Sequence, residues 1–254
     1  MKIVAIIPAR GGSKGIPEKN IKNFCGQPLI AWAIKEALKS KLLNRVIVST
    51  DDKKIAFMAR QYGAETPFIQ PAKLAQASSR MEQVFVYALR WLKENENYNI
   101  DVIVWLQPTS PLRQSQHIDG AVELFLNKKC DAVISASELP ADHNPYWIYK
   151  EPRAGHKTLF NAMGQNIKDI PARRQLLPKY YFMNNIVFVM RAKNLLDIKP
   201  TLFGKTQELY KMSDFYDADI NTPNEWLMTE IKFNQLKNKS NKKTLDSLKQ
   251  LSGF

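Results

Sequence analysis

Cysteine and histidine are scarce in this chain, with two Cys and three His among 254 residues. Cys25 and Cys130 are too few for a disulfide framework, so both are expected as reduced thiols in a cytoplasmic protein. His117, His143 and His156 are scattered, have no metal-ligand spacing with the cysteines, and are expected on the surface or in loops. No apolar stretch approaches the roughly 20 residues that span a membrane. Met1-Lys2-Ile3 runs straight into an apolar strand, which leaves no room for a secretory leader. A Gly-x-Ser-x-Gly elbow is missing, and neither cysteine sits in a nucleophile motif. Acidic residues are the minority, 24 against 37 basic, for a formal charge of +13. Such a balance suits polyanionic ligands. Helix-turn-helix patterning, zinc spacing and aromatic RNA-binding strands are all lacking, so nucleic acid is not the expected partner.

Present instead is an alternation of apolar runs with helical periodicity, which predicts an α/β fold whose mostly parallel sheet is covered by helices. The strands are expected at Ile3–Ile7, Arg45–Ser49, Val102–Leu106, Ala132–Ser135, Ile186–Met190 and near Glu208–Met212. Between the first two, Pro28 opens a helix with Ile30, Ala33, Ile34, Ala37 and Leu38 on one stripe. Further helices are expected over Lys53–Tyr62, capped by Asp51 or Asp52, then over Glu82–Lys93, Ile118–Leu126 and from about Pro223. Residues 138–180 carry five prolines with aromatics around them and cannot be a regular βα unit. An inserted arm, a lid or a dimer contact fits that segment. Residues 1–232 read as one domain, and 233–254 as a Lys-rich tail expected to fray into solvent.

Three groups of polar residues follow strand ends, where an open α/β sheet binds its ligand. The first is Ala9-Arg10-Gly11-Gly12-Ser13-Lys14-Gly15-Ile16-Pro17-Glu18-Lys19-Asn20. Adjacent glycines let successive N–H groups face one point, and Arg10, Lys14 and Lys19 add cations, which suits a triphosphate. The order matches neither a P-loop nor a dinucleotide fingerprint. A basic surface turn after an edge strand is the competing reading. The second group, Gln107-Pro108-Thr109-Ser110-Pro111-Leu112-Arg113, is a stiff two-proline strand exit with an amide available to a polar substrate. In the third, Asp217, Asp219 and Asn221 alternate, so on an extended segment they share one side and could hold Mg²⁺. Turn chemistry before Pro223 would use the same residue types. Arg173-Arg174-Gln175 could grip a carboxylate or be a solvated face.

Taken in order, the Ala9–Asn20 loop, Ser49-Thr50-Asp51, Gln107–Arg113, Arg174-Gln175-x-Leu177-Pro178, Asn184 and Asp219-Ile220-Asn221-Thr222 resemble the CMP-sialic acid synthetases (acylneuraminate cytidylyltransferases), including their legionaminic and pseudaminic acid relatives. The resemblance spans about Lys2 to Trp226. It implies a three-layer α/β/α, Rossmann-like nucleotidyltransferase fold, and a homodimer formed through an arm placed like 138–180. The implied reaction couples CTP to a nonulosonic, sialic-acid-like sugar acid, giving CMP-sugar and pyrophosphate for surface glycoconjugate synthesis. Arg10, Gly11, Gly12, Ser13, Lys14, Lys19 and Asn20 would then hold the nucleotide, with Arg10, Lys19 and Asp219 catalytic. Gln107, Arg174 and Asn184 would contact the sugar acid, and Asp219, Asn221 and Asp217 would hold Mg²⁺ or Mn²⁺. Several positions depart from the family pattern. Gln70 replaces an Arg near the base, and Arg80 is its candidate substitute. Asn221 replaces an acid, Asn185 a Gly, and Trp147 a Lys. The alternatives these leave are another base, an eight-carbon acid, or a catalytically silent nucleotide- or nucleic-acid-binding homologue.

Overall fold

The computed structural model describes residues 1–13, 15–76, 78–151, 160–171 and 173–252, with side chains through residue 238. Lys14, expected at the phosphates, lies outside the described residues, as do Pro152, His156 and the side chains of Lys239, Lys242, Lys243, Asp246 and Lys249.

The strands and helices follow the predicted alternation. In chain order they are β1 (Ile3–Pro8), β2 (Asn23–Phe24), β3 (Gln27–Pro28), α1 (Leu29–Leu38), β4 (Arg45–Ser49), α2 (Lys53–Gln61), α3 (Met81–Glu96), β5 (Val102–Trp105), α4 (Ser115–Lys128), β6 (Ala132–Glu138), β7 (Tyr181–Arg191), β8 (Gln207–Met212) and α5 (Pro223–Ser252). The main sheet has the order β4-β1-β5-β7-β6-β8. All its pairings are parallel except those of β7, which runs against both β5 and β6. β1 is paired on both sides, so the glycine loop leaves an interior strand and the edge-strand alternative falls away.

Period-two alternation explains the layers. Ile3, Ala5 and Ile7 of β1 pack with α1, α2 and α4 on one face. Val4 and Ile6 pack with Phe85, Ala88 and Leu92 of α3 on the other. Helices on both faces of one sheet make the three-layer α/β/α architecture. Leu38, expected on the buried stripe of α1, is instead exposed at its end. The helix-cap ambiguity also resolves. Asp52 caps α2, accepting from the N–H groups of Lys54 (2.6 Å) and Ile55 (3.2 Å), and Asp51 is left for the glycine loop.

A third apolar cluster matters most for function. Ile16 of the glycine loop, Phe24 of β2, Leu29, Leu112, Ala218, Ile220 and Phe233 of α5 form one buried group. It draws the loop after β1, the loop after β5 and the acidic segment before α5 into one place. The segment from Lys232 was expected to fray, yet α5 continues through Ser252, and Phe233 packs against Phe24 and Trp32. Thr222 and Glu225 form a capping box at its start: Glu225 accepts from the N–H groups of Asn221 and Thr222 (both 2.8 Å), and Thr222 Oγ1 accepts from Glu225 N–H at 3.3 Å.

Candidate active site

From β1 the chain crosses to β4 on one side and later to β5 on the other, so β1 and β5 flank a topological switch point. A cleft of about 300 Å³ opens there, lined by Arg10, Ser13, Gly15, Lys19, Gln107 and Asn221, with Asn20 and Thr109 beside them. Residues from three distant parts of the chain therefore meet, and the structure selects one cleft for the three motif groups.

The glycine loop is held on both sides. Ala9 N–H continues the β1–β4 ladder to Ser49 O (2.9 Å), and Gly11 N–H donates to Asp51 Oδ1 (2.9 Å). Buried Asn20 donates its amide to Arg10 O at 3.0 Å, closing the loop upon itself. Gly15 abuts the acidic segment: a Cβ there would lie 2.1 Å from the main-chain oxygen of Asn221. Gly12 faces open space.

The acidic segment has the predicted period. Ala218 and Ile220 point into the third apolar cluster, and Asp217, Asp219 and Asn221 lie between and beyond them. Ile220 N–H donates to Thr109 O (3.0 Å), fastening the segment to the loop after β5. Lys19 crosses the cleft to it, donating Nζ to Ile220 O (2.6 Å) and to Asn221 Oδ1 (3.2 Å). Burial pulls the Lys19 ammonium below its ordinary pKa; Asp219 and Glu225 oppose that shift, and Arg10 adds to it. Arg10 and Asp219 thus act on the one Lys19 side chain with opposite sign. Burial also raises Asp217, with Lys232 opposing and Asp219 and Asp214 reinforcing.

Asp219 Oδ1 is buried and makes no hydrogen bond. A carboxylate oxygen without a partner fits a hard divalent cation, and Mg²⁺ needs only one or two carboxylates with water and phosphate. No group of three or more His, Cys, Asp or Glu is arranged for a metal among the described residues.

Other expected residues lie elsewhere. Arg174 is on the arm, largely exposed, and pairs with Asp142 at 2.5 Å. Asn184 is sealed in the sheet, accepting from Ser135 Oγ (2.6 Å) and donating to Ser137 Oγ (2.9 Å) where β6 and β7 shift register. Arg80 is exposed at the start of α3. None of these lines the cleft. Gln70 is buried against β4, accepting from Ser49 Oγ (2.9 Å), and Trp147 donates its indole N–H to Pro171 O (3.2 Å).

Two buried groups escaped the sequence reading. His117, expected at the surface, is 6% exposed, edge-on to Tyr216 at 4.4 Å, and lowered to about 4 by burial and then by Arg113. Arg113 itself is 2% exposed. The apolar periodicity of α4 was a usable signal for His117, which lies one residue before Ile118 and four before Ala121. Nothing in the local pattern marks a buried arginine.

Residues 4–245 match the family model described as Cytidylyltransferase. The chain belongs to the cytidylyltransferase family. It is 33% identical over 233 residues to the CMP-N,N'-diacetyllegionaminic acid synthase of Legionella pneumophila, covering 91% of this chain and 95% of that one. It is also 33% identical to N-acylneuraminate cytidylyltransferase A of Danio rerio, covering 90% of this chain and 50% of the relative. A pseudaminic acid cytidylyltransferase of Campylobacter jejuni is 37% identical across 54% of this chain and 59% of its own. Among solved structures, a CMP:2-keto-3-deoxy-manno-octonic acid synthetase complexed with CTP superposes with a TM-score of 0.66 at 14% identity, covering 94% of this cytidylyltransferase and 100% of its own chain. That likeness supports the nucleotidyltransferase fold expected from the sequence.

Proposed function

We propose that this cytidylyltransferase couples CTP to a nonulosonic acid, giving the CMP-sugar and pyrophosphate. The sugar's anomeric hydroxyl oxygen bonds to the α-phosphorus and gives up its proton to solvent, while the bond from that phosphorus to the oxygen bridging to the β-phosphate breaks and pyrophosphate leaves. Transfer of this kind depends on positioning and on neutralising phosphate charge. The observation that carries the reading is Lys19, reaching from the glycine loop to the acidic segment across the cleft. An ammonium has three donors, and two are engaged, which leaves one for a phosphoryl oxygen. Arg10 and Ser13 line the same space and suit the triphosphate. Thr109 Oγ1 donates to Gln107 Oε1 at 3.3 Å, which leaves the Gln107 amide donor for the sugar acid. Asp219, helped by Asp217 and Asn221, would hold Mg²⁺ or Mn²⁺, which when bound would offset charge on the phosphates. Relatives acting on legionaminic, pseudaminic and neuraminic acids at 33–37% identity support the nine-carbon substrate class.

A homodimer through residues 138–180 belongs to the same reading. Ile148, Tyr149, Met163 and Leu176 expose apolar surface there, more than one arm needs if it stands alone. Two free cysteines, one of them buried, suit a reducing cytoplasm. No helix among the described residues is long and apolar enough to cross a membrane.

The test is pyrophosphate release from CTP with N,N'-diacetyllegionaminic, pseudaminic or N-acetylneuraminic acid. Release should require both Mg²⁺ and one sugar acid, and Asp219→Ala should lower it at least about 100-fold. Release with none of the acids, or with all four nucleoside triphosphates alike, would reject the reading.

A further inference from the structure

Among the described residues Arg113 is the largest side chain sealed from solvent, and its hydrogen bonds go to main-chain carbonyls rather than to a carboxylate. Burying a guanidinium this way is costly unless its hydrogen bonds repay the lost water. Burial lowers its pKa to about 9, with Glu36 acting against that shift. Its donors show where the compensation lies. Nε donates to Ile186 O at 2.6 Å and Nη2 donates to Gln107 O in a short contact, while Nη1 is buried without a partner among the described residues.

The sheet register gives these two carbonyls a special relation. β5 and β7 pair antiparallel from Val102↔Arg191 to Trp105↔Phe188, where the ladder ends. Two places further on, Gln107 would face Ile186. Pro108 has no N–H to continue the ladder, so β5 leaves the sheet there. Arg113 occupies the gap and bonds to the main chain on both sides. A planar fork spans two carbonyls in a way that a single ammonium does not.

We propose that Arg113 is a positioning residue, a guanidinium wedge that holds the diverging ends of β5 and β7 and thereby fixes Gln107 in the cleft. The side chain touches no substrate and acts through Gln107. What Gln107 itself contacts, the sugar acid, rests on the proposed function.

Two measurements test it. Steady-state kinetics with CTP and N,N'-diacetyllegionaminic acid should show R113K raising KM for the sugar acid about tenfold while KM for CTP moves less than twofold. In a Q107A background the same R113K change should add less than twofold, because the wedge has nothing left to place. Multiplicative effects, or equal rises in both KM values, would overturn the proposal. R113A with added methylguanidinium supplies a second variant, expected to regain the wild-type KM as the missing group refills its site. Hydrogen exchange needs no turnover: the Ser110 and Arg113 amides should exchange at least tenfold faster in R113K, with β1 unchanged. Equal exchange would refute the wedge. A wild-type protein that turns over no sugar acid would reject the proposed function, and the exchange result would still decide the wedge.

Discussion

Gly15 offers the sharpest test of how the cleft is assembled. A methyl group there would sit 2.1 Å from the main-chain oxygen of Asn221, against the 3.0 Å below which real contacts essentially never fall. One side must therefore retreat by close to an ångström. The Asn221 side is fixed, since Ile220 N–H is bound to Thr109 O and Asn221 N–H to Glu225. The glycine loop has to give way, and with it Arg10, Ser13 and Lys19. Displacing positioned groups by about 1 Å costs on the order of 100-fold in rate, or about 2.7 kcal/mol in the barrier. The strain on folding is of similar size, about 1–3 kcal/mol. Gly12, in the same loop, meets nothing within 4 Å, so Gly12→Ala is the matched control. Pyrophosphate release should fall about 100-fold in Gly15→Ala and less than about threefold in Gly12→Ala. Calorimetric titration with CTP should weaken in the first variant alone. If Gly15→Ala keeps its activity, or the two variants fall together, the loop is not seated on the acidic segment in the way described.

Two further outcomes concern stability. His117 is lowered from 6.5 to about 4 by burial and Arg113, so the unfolded chain binds its proton first as pH falls. That stabilisation is complete above about pH 6.5 and is lost on descending towards pH 4, about 3 kcal/mol in all. Urea unfolding at pH 7 and 4.5 should show His117→Gln losing most of this pH dependence; an unchanged slope would count against a buried neutral imidazole. Thr222→Ala removes one half of the capping box and should cost about 1 kcal/mol, a fall of about 2–4 °C in Tm by calorimetry. No fall would mean that Glu225 alone caps α5.

Much of this was legible because strand interiors announce themselves. Arg45–Ser49 was bounded correctly from its apolar run, and β1, β5 and α2 within a residue or two. The period-two spacing of Asp217, Asp219 and Asn221 survived because Ala218 and Ile220 have a core to enter. What escaped depends on contacts across the chain. The β2–β3 hairpin turns on Cys25 and Gly26, both at positive φ, and Cys is not a residue that marks such a turn. The reversed direction of β7 follows from the arm before it, which carries no periodic pattern. Arg113 had no reading of its own beyond closing the Gln107–Arg113 strand exit, because only its place between two diverging strands gives it a role in the interior. Asn184 read as a sugar ligand, yet the register shift between β6 and β7 gives its amide work inside the sheet.

Asn221 ties the electrostatics together and yields the last prediction. Its Oδ1 accepts from Lys19 Nζ at 3.2 Å without bringing a charge, while Glu225 is occupied with the N–H groups of residues 221 and 222. Lys19 is thus oriented by neutral acceptors, and Asp219 supplies the opposing charge through space. An aspartate at 221 would form an ion pair at the same distance, adding a Coulombic attraction that the neutral amide lacks. Phosphate would then compete with that pair for the ammonium, while the added carboxylate would favour the divalent cation. Asn221→Asp should therefore raise KM for CTP by about threefold or more, the equivalent of about 0.7 kcal/mol, and lower the Mg²⁺ concentration at half-maximal rate. Titrating CTP at fixed Mg²⁺, and Mg²⁺ at fixed CTP, separates the two effects. A variant that binds CTP as well as the wild type would show that Lys19 is set by Ile220 O alone, and that the amide at 221 has no part in aiming it.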